Sequence, residues 1–149
     1  MKVVLQRSLE SKVEIDGKVN GSIKNGYVLL VGFTNGDDEK IIDKMINKVV
    51  NLRVFEDENN KMNLSILDKK GSILSISQFT LYANSKEGRR PSFVEALEPV
   101  EASRLYDVFN DKLKTFLHVE TGVFGADMKV SITNDGPVTI ILDSEVLFK

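Results

Sequence analysis

Tyr27 to Phe33 reads Tyr-Val-Leu-Leu-Val-Gly-Phe, a near-continuous apolar run closed by Asn35-Gly36. A run of this length and type predicts a strand buried on both faces, because a half-exposed strand alternates apolar with polar residues. The rest of the chain has to cover both faces. Upstream, Lys2 to Ile15 holds short β-prone runs. Asp16-Gly17 signals a hairpin, with Lys18 to Ile23 as the returning strand, and Asn25-Gly26 marks a further turn. Downstream, Asp37-Asp38 looks like a helix start, with acids in the first turn. Ile41, Ile42, Met45, Ile46, Val49 and Val50 follow at helical spacing and make one apolar stripe.

Beyond that helix, Leu52 to Phe55 reads as a strand and Glu56 to Lys61 as a polar turn. Leu64, Ile66 and Leu67 suggest a short edge strand. Lys69-Lys70-Gly71 turns into the β-prone run Ser72 to Ser77. Asn84 to Pro91 reads as an exposed loop. Phe93 to Leu117 is the longest helical pattern, with Leu105, Val108, Phe109, Leu113 and Phe116 as its buried stripe. Pro99 within it predicts a break near Glu98. Val119 to Thr121, Met128 to Thr133 and Val138 to Leu142 complete a mixed α/β pattern. No repeat, linker or low-complexity segment interrupts it, so 1–149 is expected to form one domain.

Charge and rare residues narrow the chemistry. Twenty basic and 22 acidic residues leave a net charge of -2. That balance argues against coating nucleic acid by bulk electrostatics, while allowing one RNA end to be held in a small pocket. There is no Cys, which removes thiolate nucleophiles, disulfides and Cys-ligated metals. The single His, His118, cannot build a His-rich metal site and makes a Ser-His-Asp triad a poor expectation. No metal and no cofactor are expected. No stretch approaches the roughly 20 apolar residues of a membrane helix, and Met1 to Arg7 turns polar too soon for a signal peptide. A soluble cytoplasmic protein is expected.

Several short motifs carry candidate chemistry. Asn134-Asp135-Gly136-Pro137-Val138-Thr139 reads either as a hairpin turn or as a projecting pair of bare carbonyls, since Gly has no side chain and Pro fixes φ. Ser77-Gln78-Phe79-Thr80 reads either as a capped strand end or as a ring of N–H groups and hydroxyls facing a reacting carbonyl. Thr80 as a covalent nucleophile would need a neighbouring base. Gly122 to Met128 reads as a bend before a strand, or as apolar walls from Phe124 and Met128 around open backbone at Gly125 for a flat ring such as a nucleobase. Lys86 and Gly88-Arg89-Arg90-Pro91 form the one compact basic loop, either solvated or touching phosphate. Arg7, if buried, needs acceptors such as turn carbonyls.

Taken together and in this order, Met1 to Arg7, Ser77 to Leu81, Gly88 to Phe93, Thr121 to Met128 and Asn134 to Thr139 resemble the D-aminoacyl-tRNA deacylase family, also called D-tyrosyl-tRNA deacylase. The resemblance runs from Met1 to about Ser144. Ser8 to Val13 is an unusual first hairpin, and Glu87 sets an acid beside the basic loop. The resemblance implies a β-rich, three-layer α/β domain with two main helical regions. It implies hydrolysis of the ester joining a D-amino acid to the 3′-terminal adenosine of tRNA, and removal of glycine from mischarged tRNA(Ala). It also implies a homodimer with active sites at the subunit interface. Carried over, Ser77, Gln78, Phe79 and Thr80 would line the catalytic pocket. Phe124, Gly125, Ala126 and Met128 would receive adenosine. A cis Gly136-Pro137, held by Arg7, would present its carbonyls to the partner's site and occupy the space an L side chain needs. Lys86, Arg89 and Arg90 would contact tRNA phosphate. Three rivals stay open: a covalent acyl hydrolase using Thr80, a non-enzymatic RNA-end binder, and a role at DNA replication origins.

Overall fold

The computed structural model describes residues 1–149. The apolar run forms β4 (Gly26–Gly32), the third strand of a five-stranded sheet. β1 (Lys2–Ser8) lies antiparallel on one side of it and β7 (Ser72–Ser77) parallel on the other. β10 (Asn134–Asp143) pairs antiparallel with β1 at one edge, and β8 (Val119–Thr121) pairs parallel with β7 at the other.

Both faces of β4 are covered, as its composition requires. On one face Tyr27, Leu29 and Val31 join Val3 and Leu5 of β1 under two helices, α1 (Glu39–Asn51) and α3 (Pro99–Leu113). On the other, Val28 joins Leu74 and Ile76 of β7 against a second sheet. That sheet has the order β3 (Lys18–Ile23), β2 (Ser11–Ile15), β9 (Lys129–Ser131), and brings Ile23, Val13 and Val130 to the contact. The result is three layers, helices, large sheet and small sheet, which matches the expected class.

The helix starts are local chemistry. Asp38 caps α1 by accepting the Ile41 N–H at 2.9 Å. The apolar stripe then buries Ile42, Met45, Ile46, Val49 and Val50. Pro99 is the first residue of α3, where a missing N–H costs nothing, and Glu98 accepts the Val100 and Glu101 N–H groups. The amine of Met1 is fully buried between Asp37 Oδ1, at 2.5 Å, and Ser144 Oγ, at 2.6 Å.

Five expectations need correction. The strand expected at Leu52 to Phe55 shrinks to β5 (Phe55–Glu56), because no strand flanks 52–54 and the Val54 carbonyl accepts from Arg7. The strand expected through Leu64 to Leu67 stops at β6 (Met62–Leu64). There Ser65 and Asp68 exchange side-chain to backbone hydrogen bonds, a capping box that opens α2 (Ile66–Lys69). Residues 93–97 are not helical: Ala96 bridges to Thr34 and the Leu97 N–H donates to Phe33 O at 3.0 Å. Phe116 lies past the end of α3 and is half exposed rather than part of its buried stripe. Finally, Asn134 to Pro137 is no turn between strands but the first part of β10, ahead of the short C-terminal helix α4 (Ser144–Leu147).

Candidate active site

β8 ends where Thr121 pairs with Ser75, so the last residues of β7 run on without a neighbour on that side. Chain on both sides of this gap encloses a pocket of about 290 Å³. Ser77, Gln78 and Phe79 form one wall and Phe124, Gly125, Ala126 and Met128 the other, over Ile76 and Val130. Two motifs about 45 residues apart in sequence thus meet on one cavity. Met128 packs against bare Gly122 on its way there: a Cβ at Gly122 would stand 2.4 Å from the Met128 sulfur, and the thioether would have to shift.

The polar groups available are main-chain groups, a hydroxyl and an amide. After β7, Phe79–Tyr82 makes one 3₁₀ turn. The Gln78 N–H is spent on Val31 O at 2.7 Å, but the N–H groups of Phe79 and Thr80 open the turn with no partner in the chain. Thr80 itself does not line the pocket. It is exposed, and its Oγ1 accepts from Gln78 Nε2 at 2.5 Å. No base stands beside it. His118 precedes β8, and its carbonyl binds the Ile73 N–H, at the opposite end of β7 from Ser77.

Phe79 also bounds a second, more apolar recess of about 360 Å³ with Phe93, Leu97 and Pro99. The Phe79 and Phe93 rings meet edge-on, 5.0 Å apart. Asn84 and Ser92 exchange two 2.8 Å backbone bonds at the base of the preceding loop. This ties exposed Lys86, Arg89 and Arg90 beside the recess. None of the three forms an ion pair, and Glu87 neutralises none of them.

Gly136-Pro137 is a cis peptide. Its setting is a wide bulge: Gln6 pairs with Thr139 and Ser8 with Asn134, so four residues of β10 face Arg7 alone. Arg7 is buried. Its Nε donates to Asp135 O at 3.1 Å, its Nη1 donates to Val54 O at 2.8 Å, and the Asp135 carboxylate lies 3.3 Å from Nε. Burial pushes the Tyr27 phenol up, and the charge of Arg7 offsets part of that rise. Gly136 has φ +126°, and a Cβ there would stand 2.9 Å from Val138 Cγ2 and 3.1 Å from Arg7 Nη2. Gly136 and Pro137 both face solvent. Within one chain they do not meet the Ser77 pocket. Arg7, Tyr27 and Ile73 stand in line across the sheet. Ser77 is therefore three strands across from the bulge and four residues further along, roughly 14 Å and 13 Å respectively.

Residues 4–143 match the family described as D-Tyr-tRNA(Tyr) deacylase. The chain belongs to that family. A curated D-aminoacyl-tRNA deacylase of Bacillus cytotoxicus is 57% identical over 146 residues, 97% of this chain and all of the relative. One of Lactobacillus acidophilus is 56% identical over 144 residues, 96% of this chain and 99% of the relative. A solved structure titled c-Myc DNA Unwinding Element Binding Protein superposes with a TM-score of 0.91 at 40% identity, covering 96% of this chain and 98% of that one. A probable eukaryotic D-amino acid tRNA deacylase shares the fold, with a TM-score of 0.84 at 15% identity over 95% and 97% of the two chains.

Against this deacylase-family frame, one neighbour of the pocket was missing from the expected stripe of α3. Tyr106 lies between Leu105 and Phe109, buried, with its ring 6.1 Å from that of Phe124 and its hydroxyl donating to Ser75 O at 2.7 Å. Its spacing to Phe109 and Leu113 does place it on that stripe, but spacing alone does not distinguish a hydroxyl aimed at β7 from an ordinary core ring.

Proposed function

We propose that this chain hydrolyses the ester of D-aminoacyl-tRNA, releasing the free D-amino acid and tRNA. The carrying observation is the single pocket on which Ser77-Gln78-Phe79 and Phe124 to Met128 converge, with two unspent N–H groups at Phe79 and Thr80 beside it. The close identity to relatives named D-aminoacyl-tRNA deacylase supports the same reading.

The site has no side-chain base, so the chemistry rests on alignment and on charge stabilisation. An aminoacyl ester is already activated. Holding it still contributes several kcal/mol of barrier lowering. The Phe79 and Thr80 N–H groups would receive the developing oxyanion, at roughly 3 kcal/mol per donor. The 2′-OH of the terminal ribose would assist the attacking water, so the substrate brings part of the machinery. Phe124 and Met128 would hold adenosine across open backbone at Gly125 and Ala126. Lys86, Arg89 and Arg90, unpaired and exposed, would meet phosphates upstream.

The stereochemical filter would come from a second copy. In one chain Gly136-Pro137 stands far from the pocket, and β10 leaves one edge unpaired, with Ile141 71% exposed. In a homodimer built so that each pocket receives the partner's Gly136-Pro137 carbonyls, an L side chain would strike main chain and a D side chain would not. Glycine has nothing to clash, so glycyl-tRNA mischarged on tRNA(Ala) would pass. Acting on tRNA, the protein would work in the cytoplasm.

The covalent reading is weakened by the outward position of Thr80 and its bond to Gln78. A role in DNA binding finds no support in a net charge of -2. The deciding assay compares tRNA charged with D-tyrosine, L-tyrosine and glycine. D-tyrosyl- and glycyl-tRNA should be cleaved, and L-tyrosyl-tRNA spared by about a hundredfold or more, which is about 2.7 kcal/mol. Equal rates on the two enantiomers would end the proposal. A tRNA ending in 2′-deoxyadenosine should turn over far more slowly, and an unchanged rate would remove the 2′-OH from the mechanism.

A further inference from the structure

We propose that Tyr106 is a positioning residue for this reaction, fixing both walls of the pocket from behind; the inference rests on the deacylase reading above. The argument begins with strand alternation. Gln78 turns its N–H towards β4, where Val31 O accepts it. Neighbouring residues of a strand point their backbone groups to opposite sides, so the Ser77 N–H points away from β4. β8 would pair on that side, but it has ended opposite Ser75. Gly122, just past β8, gives its N–H to Ser75 O at 3.2 Å, and the Tyr106 hydroxyl joins it there. It donates to Ser75 O at 2.7 Å, and the Ser77 main chain and the Asn110 side chain adjoin the same oxygen. A phenol from α3 thus reinforces the last ladder carbonyl of β7 and stands beside the Ser77 main chain, which leads into Gln78 and Phe79.

The same side chain supports the opposite wall. Its ring lies 6.1 Å from Phe124 at 49°, and Phe124 lines both the pocket and the adjoining recess. Burial pushes the phenol above its ordinary value, so the hydroxyl keeps its proton at working pH and stays a donor. Tyr106 does not line the pocket and so acts only through the groups it holds. The hydroxyl orients the main chain on which the Phe79 and Thr80 N–H groups follow, and the ring orients Phe124. The two halves therefore have separable kinetic signatures.

The test is Tyr106→Phe, which deletes one oxygen and keeps the ring. Deacylation of D-tyrosyl-tRNA is measured well below the melting temperature, together with amide exchange at Ser77. The expected result is a kcat lower by roughly tenfold to a hundredfold, as a small misplacement of catalytic donors produces, with KM within about twofold and faster Ser77 exchange. Tyr106→Leu, which also removes the ring, should raise KM in addition. A Tyr106→Phe enzyme that melts earlier but keeps its kcat overturns the proposal, because a purely structural hydroxyl predicts that outcome. If Tyr106→Phe proves too unstable to assay, Tyr106→4-aminophenylalanine keeps a donor at the same place. Restored kcat there supports the inference, and a loss of tenfold or more overturns it. Failure of the wild-type protein to cleave D-tyrosyl-tRNA would instead count against the deacylase reading itself.

Discussion

Replacing Arg7 by Met tests how the bulge of β10 is held. Met keeps most of the apolar stem and removes the guanidinium. Two carbonyls, the partly buried Asp135 O and the buried Val54 O, lose their donor. Hydrogen bonds from a charged donor contribute about 1.5–3 kcal/mol each. The Asp135 carboxylate is 43% exposed, so its attraction to Arg7 adds no more than about 1 kcal/mol. The expected cost is about 4 kcal/mol. At about 2–4 °C per kcal/mol for a chain of this size, melting should fall by about 8–16 °C. Asp135→Asn is the internal control: it removes the charge, leaves the Asp135 carbonyl in place, and should cost less than about 1 kcal/mol. Urea and thermal unfolding measure both. The same samples, assayed on D- and L-tyrosyl-tRNA, should show that Arg7→Met loses selectivity before it loses turnover, because the bulge that carries Gly136 has lost two of its anchors. An Arg7→Met protein within about 1 kcal/mol of wild type, or an Asp135→Asn protein equally damaged, would refute the reasoning.

Gly122→Ala should push Met128 out of the pocket wall, since the new Cβ would overlap its sulfur, and raise KM for aminoacyl-tRNA by about tenfold; unchanged KM in steady-state kinetics would count against that contact. Thr80→Ala should keep substantial deacylation, because the proposed mechanism uses the Thr80 N–H rather than its hydroxyl, and loss of all burst and steady-state turnover would restore the covalent reading. Asp68 is held below its ordinary pKa by the Ser65 backbone and side chain. A carboxylate with a depressed folded pKa stabilises above its unfolded value and loses that contribution as pH falls through the folded one. The stability gap between wild type and Asp68→Asn should therefore be full at pH 6 and shrink below about pH 4; a gap independent of pH in acid titration of unfolding would remove Asp68 from the cap.

The elements legible in the sequence were those whose own residues decide them. β4, β7 and α1 follow from apolar runs or helical spacing, and Asp16-Gly17 marks the β2–β3 hairpin, where both residues take positive φ. What failed was decided elsewhere in the chain. Residues 52–54 are β-prone but have no strand beside them, and Arg7 claims the carbonyl of Val54. Ser65 to Asp68 was a readable capping box hidden by the apolar residues between its ends. Asn134 to Pro137 has the composition of a turn, yet pairing with β1 on either side holds it within a strand. The candidate site shows the same division. Its walls are contiguous strings, Ser77 to Thr80 and Phe124 to Met128, and could be picked out singly. That Thr80 turns outward, that Gly122 makes room for Met128 and that Tyr106 stands behind both walls follow only from where distant segments meet.

β1 borders β4 on one side and β10 on the other, and its register with β10 runs from Lys2↔Asp143 to Ser8↔Asn134. During synthesis the first strand can find β4 early, but its other neighbour emerges only after β7 and β8. Nascent chains fold as their segments become available, so the sheet waits with an open flank until β10 itself has been made. Closure of the large sheet is thus set by the most distant of its partners in sequence, and the Asp135 anchor of the Gly136-Pro137 bulge is set in that same step.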